Sequence, residues 1–143
     1  MDEPRVTRIL IVTDVAEPSS ALVDAIRHRH ERGPAQFRVV VPNPARAEVH
    51  PLHPERHERA REAEAVLREA LPTLESAAGG PVIGSVSVRH DPMDAVEETL
   101  FAEPIDELML HLAPHGLAHR LHQDLSDRLQ HLGLPIQVVP HPR

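Results

Sequence analysis

The chain has 143 residues, a formal net charge of −7 with histidine neutral, and no cysteine. This length predicts one domain, and the lack of cysteine excludes a disulfide framework and a thiolate metal site. The 15 basic residues are all arginine and form no basic stripe, and only Phe37 and Phe101 are aromatic. We therefore expect no nucleic-acid binding.

The amino-terminal residues carry charges and resemble no secretion signal. No apolar run approaches the roughly 18 residues that a membrane span needs. The sequence therefore predicts a single domain over residues 1–143, with no membrane segment and a cytoplasmic location.

The amino-terminal part of the chain predicts two buried strands with a helix between them. Residues 8–13, RILIVT, and residues 36–41, QFRVVV, are apolar runs without alternation. Such runs are typical of strands that are covered on both faces. The helix should begin near Ser19 and end before Gly33-Pro34, and its apolar face is formed by Leu22, Val23 and Ile26.

The longest helix is predicted from Pro54 to about Ser76. Its apolar residues recur at steps of three and four and therefore share one face: Ala60, Ala63, Leu67, Ala70 and Leu74. Because proline has no backbone N–H, we expect Pro72 to kink this helix or to end it early.

The carboxyl-terminal part predicts three further strands. Residues 82–88, VIGSVSV, alternate between apolar and small polar side chains, as an edge strand does. A helix should open at Asp91-Pro92, and strands are predicted at 105–110 and 136–139. A last helix between these two strands is indicated by Leu121, Leu125, Leu129 and Leu132. Strands and helices that alternate in this way form a parallel sheet with helices on both faces.

Five segments resemble the universal stress protein family in their order and spacing: RILIVTDVAEPSSALVDAI, RVVVPNP, VRHDPMDAVEETL, IDELML and GLAHRL…LSDRLQHLGLPIQVV. The resemblance covers nearly the whole chain. It implies a three-layer α/β sandwich of the Rossmann-like, adenine-nucleotide-alpha-hydrolase-like type. It also implies a five-stranded parallel sheet in the order 3-2-1-4-5, which places residues 82–88 at an edge, in agreement with their alternation.

Some members of that family bind ATP through the spacing G-x2-G-x9-G-[ST] after the fourth strand. Its glycines let the backbone approach the phosphates and donate N–H groups to them. In this chain His111 and Pro114 stand where the first two glycines would be. The last pair falls at Asp124-Leu125 or at Gln123-Asp124, depending on the register. Pro114 has no N–H and Asp124 would repel phosphate, so we expect no ATP binding of the family's kind.

The resemblance also implies where a ligand pocket would lie. Asp14 matches the Asp at the end of the family's first strand, which can contact the nucleotide, although the favoured role of Asp14 is to cap the turn that follows. Asp124, with Asp127 after it, is favoured as the start of the last helix. The candidate pocket residues are Thr13, Asp14, Val15, Val41, His111, Ala113, Gly116, Gln123 and Asp124.

Twelve histidines are many for this length. Two histidines one helical turn apart can share a divalent ion, and the weak candidates for this are His53, His57, His115 and His119. The favoured explanation is a solvated loop in a sequence rich in GC codons. Since histidine titrates near pH 6.5, we also consider that His111, His115, His119 and His122 bind an anion or a metal or sense pH.

The leading prediction is a regulatory or binding protein that resembles a universal stress protein, has lost ATP binding and needs no cofactor. We expect that the chain is not an enzyme, because its sequence has no Ser/His/Asp order, no nucleophile elbow and no G-x-G-x-x-G motif. The alternatives are an ATP- or AMP-binding stress protein with a rebuilt loop, including a weak ATPase, and a His-rich metal-binding protein. The family often dimerises through the fifth strand, and an uncovered strand edge favours pairing. We therefore expect a homodimer through Ile136, Val138 and Val139.

Overall fold

The computed structural model of the chain describes residues 6–42, 55–87, 92–111, 127 and 133–139. These residues form five strands and three helices. In chain order they are β1 Thr7–Thr13, α1 Ser20–Glu31, β2 Ala35–Val41, α2 Glu55–Ala78, β3 Ile83–Val86, α3 Pro92–Ala102, β4 Glu107–His111 and β5 Ile136–Val138.

The five strands form one parallel sheet in the order β3-β2-β1-β4-β5. This confirms the predicted order, and it confirms that the strand at residues 83–86 lies at an edge. β1 is the central strand and pairs with β2 on one side and β4 on the other. The direction in which the chain adds strands reverses between β1 and β4, and ligands of open α/β sheets bind at such a switch point.

The helices cover the two faces of the sheet with separate apolar cores. α1 and α2 pack against one face, where the buried side chains include Ile9, Ile11, Leu22, Ile26, Phe37 and Leu74. α3 packs against the other face through Val96, with Leu100 partly buried, beside Leu10, Val12, Val40, Leu108 and Leu110. Each of these large side chains contributes roughly 1.5–3 kcal/mol by leaving water. β1 is buried on both faces, which explains why its sequence is apolar without alternation.

Helix α1 begins and ends as predicted. Ser19 is its N-cap and accepts a hydrogen bond from the backbone N–H of Leu22 at 3.2 Å. The helix ends at Glu31, and Gly33 follows with a φ of 149°, a conformation that glycine adopts without strain. Near this end Arg29 Nε donates to Glu107 Oε2 at 2.9 Å, so the carboxyl end of α1 is bonded to the first residue of β4.

Helix α2 corrects one prediction. The expectation that Pro72 ends the helix early is wrong, because α2 continues to Ala78 with Pro72 inside it. Pro72 lies on the exposed side, where the carbonyl group that it leaves without a donor can bond to water. Beyond the proline the helix is anchored in the core by its buried residues Leu74, Ala77 and Ala78.

Three other predictions need comment. The third strand is shorter than predicted, Ile83–Val86 instead of 82–88, although Val82 and Ser87 beside it are buried. Of the predicted last helix, Asp127 is helical and exposed, and the remainder lies outside the described residues. In the described part of the chain, no helix combines the length and the apolar character that crossing a bilayer requires.

The contact between β3 and α2 gives a test of this packing. A Cβ atom at Gly84 would lie 2.6 Å from Leu67 Cδ1 and 3.2 Å from Leu67 Cγ, so the whole Leu67 side chain would have to move. We expect Gly84→Ala to lower the free energy of unfolding by about 1–2 kcal/mol in urea titration. Gly80→Ala is the matched control, because no atom lies within 4 Å of a Cβ built there. Equal stabilities of the two variants would contradict this packing.

Candidate functional site

The candidate site lies at the carboxyl ends of β1 and β4, where the strand order reverses. Thr13, the last residue of β1, is paired in register with His111, the last residue of β4. Both side chains are completely buried. Thr13 Oγ1 accepts a hydrogen bond from the N–H of Val15 at 3.2 Å, which fixes the turn that leaves β1. Asp14, which lies between Thr13 and Val15 in this turn, is partly exposed.

His111 points towards the face of the sheet that α1 covers. Residues paired across neighbouring strands share a face, and successive residues of one strand alternate. Thr13 therefore lies on the face of Ile9 and Ile11, which pack against Leu22 of α1. His111, paired with Thr13, lies on that face too, beneath the start of α1.

Both ring nitrogens of His111 are engaged in hydrogen bonds. Nδ1 lies 3.1 Å from the carbonyl oxygen of Val139, just beyond β5. Nε2 lies 3.1 Å from Oγ of Ser19, the N-cap of α1. The imidazole thus fills the space between the ends of β4 and β5 and the first turn of α1, and it joins these three elements. A buried histidine needs partners for both nitrogens, and here it has them.

The network fixes the tautomer of the neutral ring. A carbonyl oxygen can only accept, so Nδ1 carries the hydrogen and donates it to Val139. Nε2 is then the acceptor, and the hydroxyl hydrogen of Ser19 points to it. Ser19 Oγ can donate to His111 while its own lone pair accepts from the N–H of Leu22.

The structure brings together residues that the sequence places in unrelated roles. Ser19 was predicted only as the start of a helix, whereas His111 was predicted as a pocket residue in the loop after the fourth strand. Val139 was predicted to lie on a dimer edge, yet its side chain is 3% exposed and belongs to the core between the sheet and α1. Ser19 and His111 are separated by 92 positions in the sequence, and no local signal connects them.

The other predicted site residues fall into two groups. Val41 is buried at the end of β2, where its carbonyl accepts from the N–H of Ser87, and Val15 is partly buried. Several lie outside the described residues: Ala113, Gly116, Gln123, Asp124, His53, His115, His119 and His122. His57 belongs to α2. Among the described residues, no three histidine, aspartate or glutamate side chains are grouped as a metal ion would require.

No protein-family model and no curated protein matches the sequence. Solved structures do match. The universal stress protein from Archaeoglobus fulgidus in complex with dAMP superposes with a TM-score of 0.63 and 16% identity, over 94% of this chain and 98% of that chain. A universal stress protein in complex with cAMP superposes with a TM-score of 0.56 and 18% identity, over 95% of this chain and 98% of that chain. A protein of that family from Burkholderia pseudomallei superposes with a TM-score of 0.53 and 15% identity, over 92% of this chain and 96% of that chain.

The chain has the fold of the universal stress proteins. The resemblance inferred from five short segments is therefore confirmed at the level of the fold, although the identities are low. The imidazole of His111 lies at the switch point of this universal stress protein fold.

A double-mutant cycle measures the coupling between Ser19 and His111. We expect Ser19→Ala to cost about 1 kcal/mol through the lost cap, and His111→Leu to cost about 2 kcal/mol because it leaves Val139 O and the Ser19 hydroxyl without this partner. The double variant should be more stable than the sum of the two losses predicts, by about 1 kcal/mol.

Two exposed residues of α1 serve as controls for this cycle. Ser20→Ala and His28→Leu change exposed residues, and each should shift the free energy of unfolding by less than about 0.5 kcal/mol. Strict additivity of Ser19→Ala and His111→Leu in urea titration would show that the two side chains do not interact.

Proposed function

We propose that this chain is a universal stress protein that acts as a cytoplasmic binding or regulatory protein and does not bind ATP through a phosphate loop. The observation that carries the proposal is the buried ring of His111 at the end of β4. By the sequence resemblance, this position is the first glycine of the family's ATP motif.

Both the bulk of the imidazole and its hydrogen bonds oppose the binding of a phosphate at this position. A glycine there would leave the backbone open to the phosphate oxygens, whereas the imidazole covers it. Moving the ring would break its hydrogen bonds to Ser19 and Val139, each worth about 1 kcal/mol net, and would leave buried polar groups without these partners.

The charge of the chain also disfavours the binding of ATP. The chain has no lysine and a formal net charge of −7. Pro114 and Asp124 occupy further positions of the motif, where they remove a donor and add a negative charge. A triphosphate would therefore find little compensation for its own charge, and the proposal includes no metal or organic cofactor.

A second candidate is the binding of a nucleoside monophosphate. Two universal stress proteins of the same fold have been solved with dAMP and with cAMP, and a monophosphate makes smaller demands on a phosphate loop than ATP does. Asp14, partly exposed at the end of β1, corresponds to the family's nucleotide-contacting Asp. Under this second candidate function the site lies at the same place in the fold, and only the ligand differs.

Isothermal titration with ATP, AMP and cAMP tests both candidates. We expect no micromolar binding of ATP to the wild-type chain. Micromolar binding of ATP would overturn the leading proposal, whereas binding of AMP or cAMP alone would favour the second candidate. His111→Gly, checked by circular dichroism for retained structure, should bind any of these nucleotides at least as tightly as the wild type, because the ring is gone.

We also propose a homodimer formed through the outer edge of β5. β5 is the last strand of the described sheet, and its outer edge presents Val138, whose side chain is 46% exposed, with Ile136 partly buried beside it. Because the side chain of Val139 is in the core, this residue can contribute only through its backbone. Edge strands with apolar side chains favour pairing with another strand.

Light scattering gives the oligomeric state directly. We expect twice the mass of one chain for the wild type and a shift towards the monomer for Val138→Asp. Ile83→Asp is the matched control, since Ile83 is 45% exposed on β3 at the opposite edge. A monomeric wild type, or the same shift in both variants, would contradict a β5 interface.

A further inference from the structure

We propose that Ser19 is a nucleophile activated by His111, and that this pair transfers the acyl group of a small, uncharged ester to Ser19 and then to water. The inference goes beyond the proposed function, which assigns no chemistry to the chain. It rests on three groups that the fold brings together: a hydroxyl, an imidazole and a carbonyl that orients the imidazole. This is the arrangement by which an enzyme activates a serine.

The imidazole is held in the state that a general base needs. The carbonyl of Val139 accepts the hydrogen of Nδ1, so the lone pair of Nε2 faces Ser19 Oγ at 3.1 Å. The residue that carries this carbonyl is itself held in place, because the N–H of Val139 donates to Leu110 O of β4 at 2.8 Å. The base is therefore oriented by the paired backbones of β4 and β5 and does not depend on a flexible side chain.

Ser19 lies nearer to solvent than the imidazole does. His111 is completely buried, whereas Ser19 is partly exposed. The N–H of Leu22 fixes the position of Oγ from the other side. Ser19 also precedes the first turn of α1, whose N–H groups carry the partial positive charge of the helix N-terminus, although that of Leu22 is bonded to Ser19 Oγ itself. Such groups favour the negative charge that develops on an attacked carbonyl oxygen.

The proposed reaction balances in two halves. Ser19 Oγ attacks the carbonyl carbon of the ester and its proton passes to Nε2 of His111. The bond to the leaving oxygen then breaks, and the proton on Nε2 goes to that oxygen, which leaves as the free alcohol. In the second half water attacks the acyl-Ser19, gives its proton to Nε2 and releases the carboxylic acid, and the proton returns to Ser19 Oγ.

The surroundings limit the substrate and the rate. The imidazole of His111 and the N–H of Leu22 both lie against Ser19 Oγ, and we therefore expect a short acyl group to react best. Asp14 lies near the same end of β1, and the chain is acidic, which disfavours anionic esters. A neutral carbonyl stabilises the imidazolium less than a carboxylate would, and we therefore expect slow turnover compared with enzymes that have a Ser/His/Asp triad.

The test uses p-nitrophenyl acetate with the full-length chain. The 12 histidines of the chain cause a background of imidazole catalysis, so the rate is combined with the site of acylation. We expect acid-quenched protein to carry one acetyl group on Ser19 in peptide mass spectrometry. Ser19→Asn should abolish this adduct, and both Ser19→Asn and His111→Gln should lower the rate above background by about a hundredfold or more.

The variants separate chemistry from folding. Asparagine caps a helix about as well as serine, so Ser19→Asn removes the nucleophile without removing the cap, and its melting temperature should stay close to that of the wild type. Ser20→Ala removes the neighbouring exposed hydroxyl and should keep both the adduct and the rate.

Labelling of the wild type with a fluorophosphonate needs no variant. In this reaction Oγ bonds to phosphorus and fluoride leaves, and we expect one label, on Ser19. A folded wild-type chain with neither adduct on Ser19, or a Ser19→Asn rate equal to that of the wild type, would overturn the proposal. Neither result bears on nucleotide binding, which titration measures separately.

Discussion

The hydrogen bonds of one buried imidazole determine how the ends of three elements meet. The ends of β4 and β5 are also joined by the bond from the N–H of Val139 to Leu110 O, but the apolar side chains between α1 and the sheet do not fix direction as hydrogen bonds do. His111 donates to a carbonyl on one side and accepts from a hydroxyl on the other. Since buried polar groups are costly when they lack partners, this arrangement has few alternatives of similar energy. The geometry of the site is therefore inseparable from the stability of the fold around it.

The same ring is the reason for proposing that this chain lacks the ATP site of some universal stress proteins. The sheet has the strand order of the universal stress proteins, and at its switch point His111 stands where the sequence resemblance places the first glycine of the ATP motif. Functions are carried by sites and not by folds.

Much of the architecture could be predicted from local patterns. The apolar runs at 8–13 and 36–41 indicated buried strands, and the alternation at 82–88 indicated an edge, because burial on one or two faces leaves a direct trace in the sequence. Pro72 misled the prediction, since the anchoring of α2 by Leu74 and Ala77 is a tertiary effect. The contact of Ser19 with His111 could not be predicted, because it depends on the register of β1 against β4 and on the position of α1 above them.

Helix α1 is bonded to a single strand at both of its ends. Arg29 binds Glu107 where β4 begins, and Ser19 binds His111 where β4 ends. The helix cannot swing away from the sheet about either end without breaking the bond at the other, so α1 and β4 should open as one cooperative unit. Their amide hydrogens would then exchange with solvent at similar, slow rates.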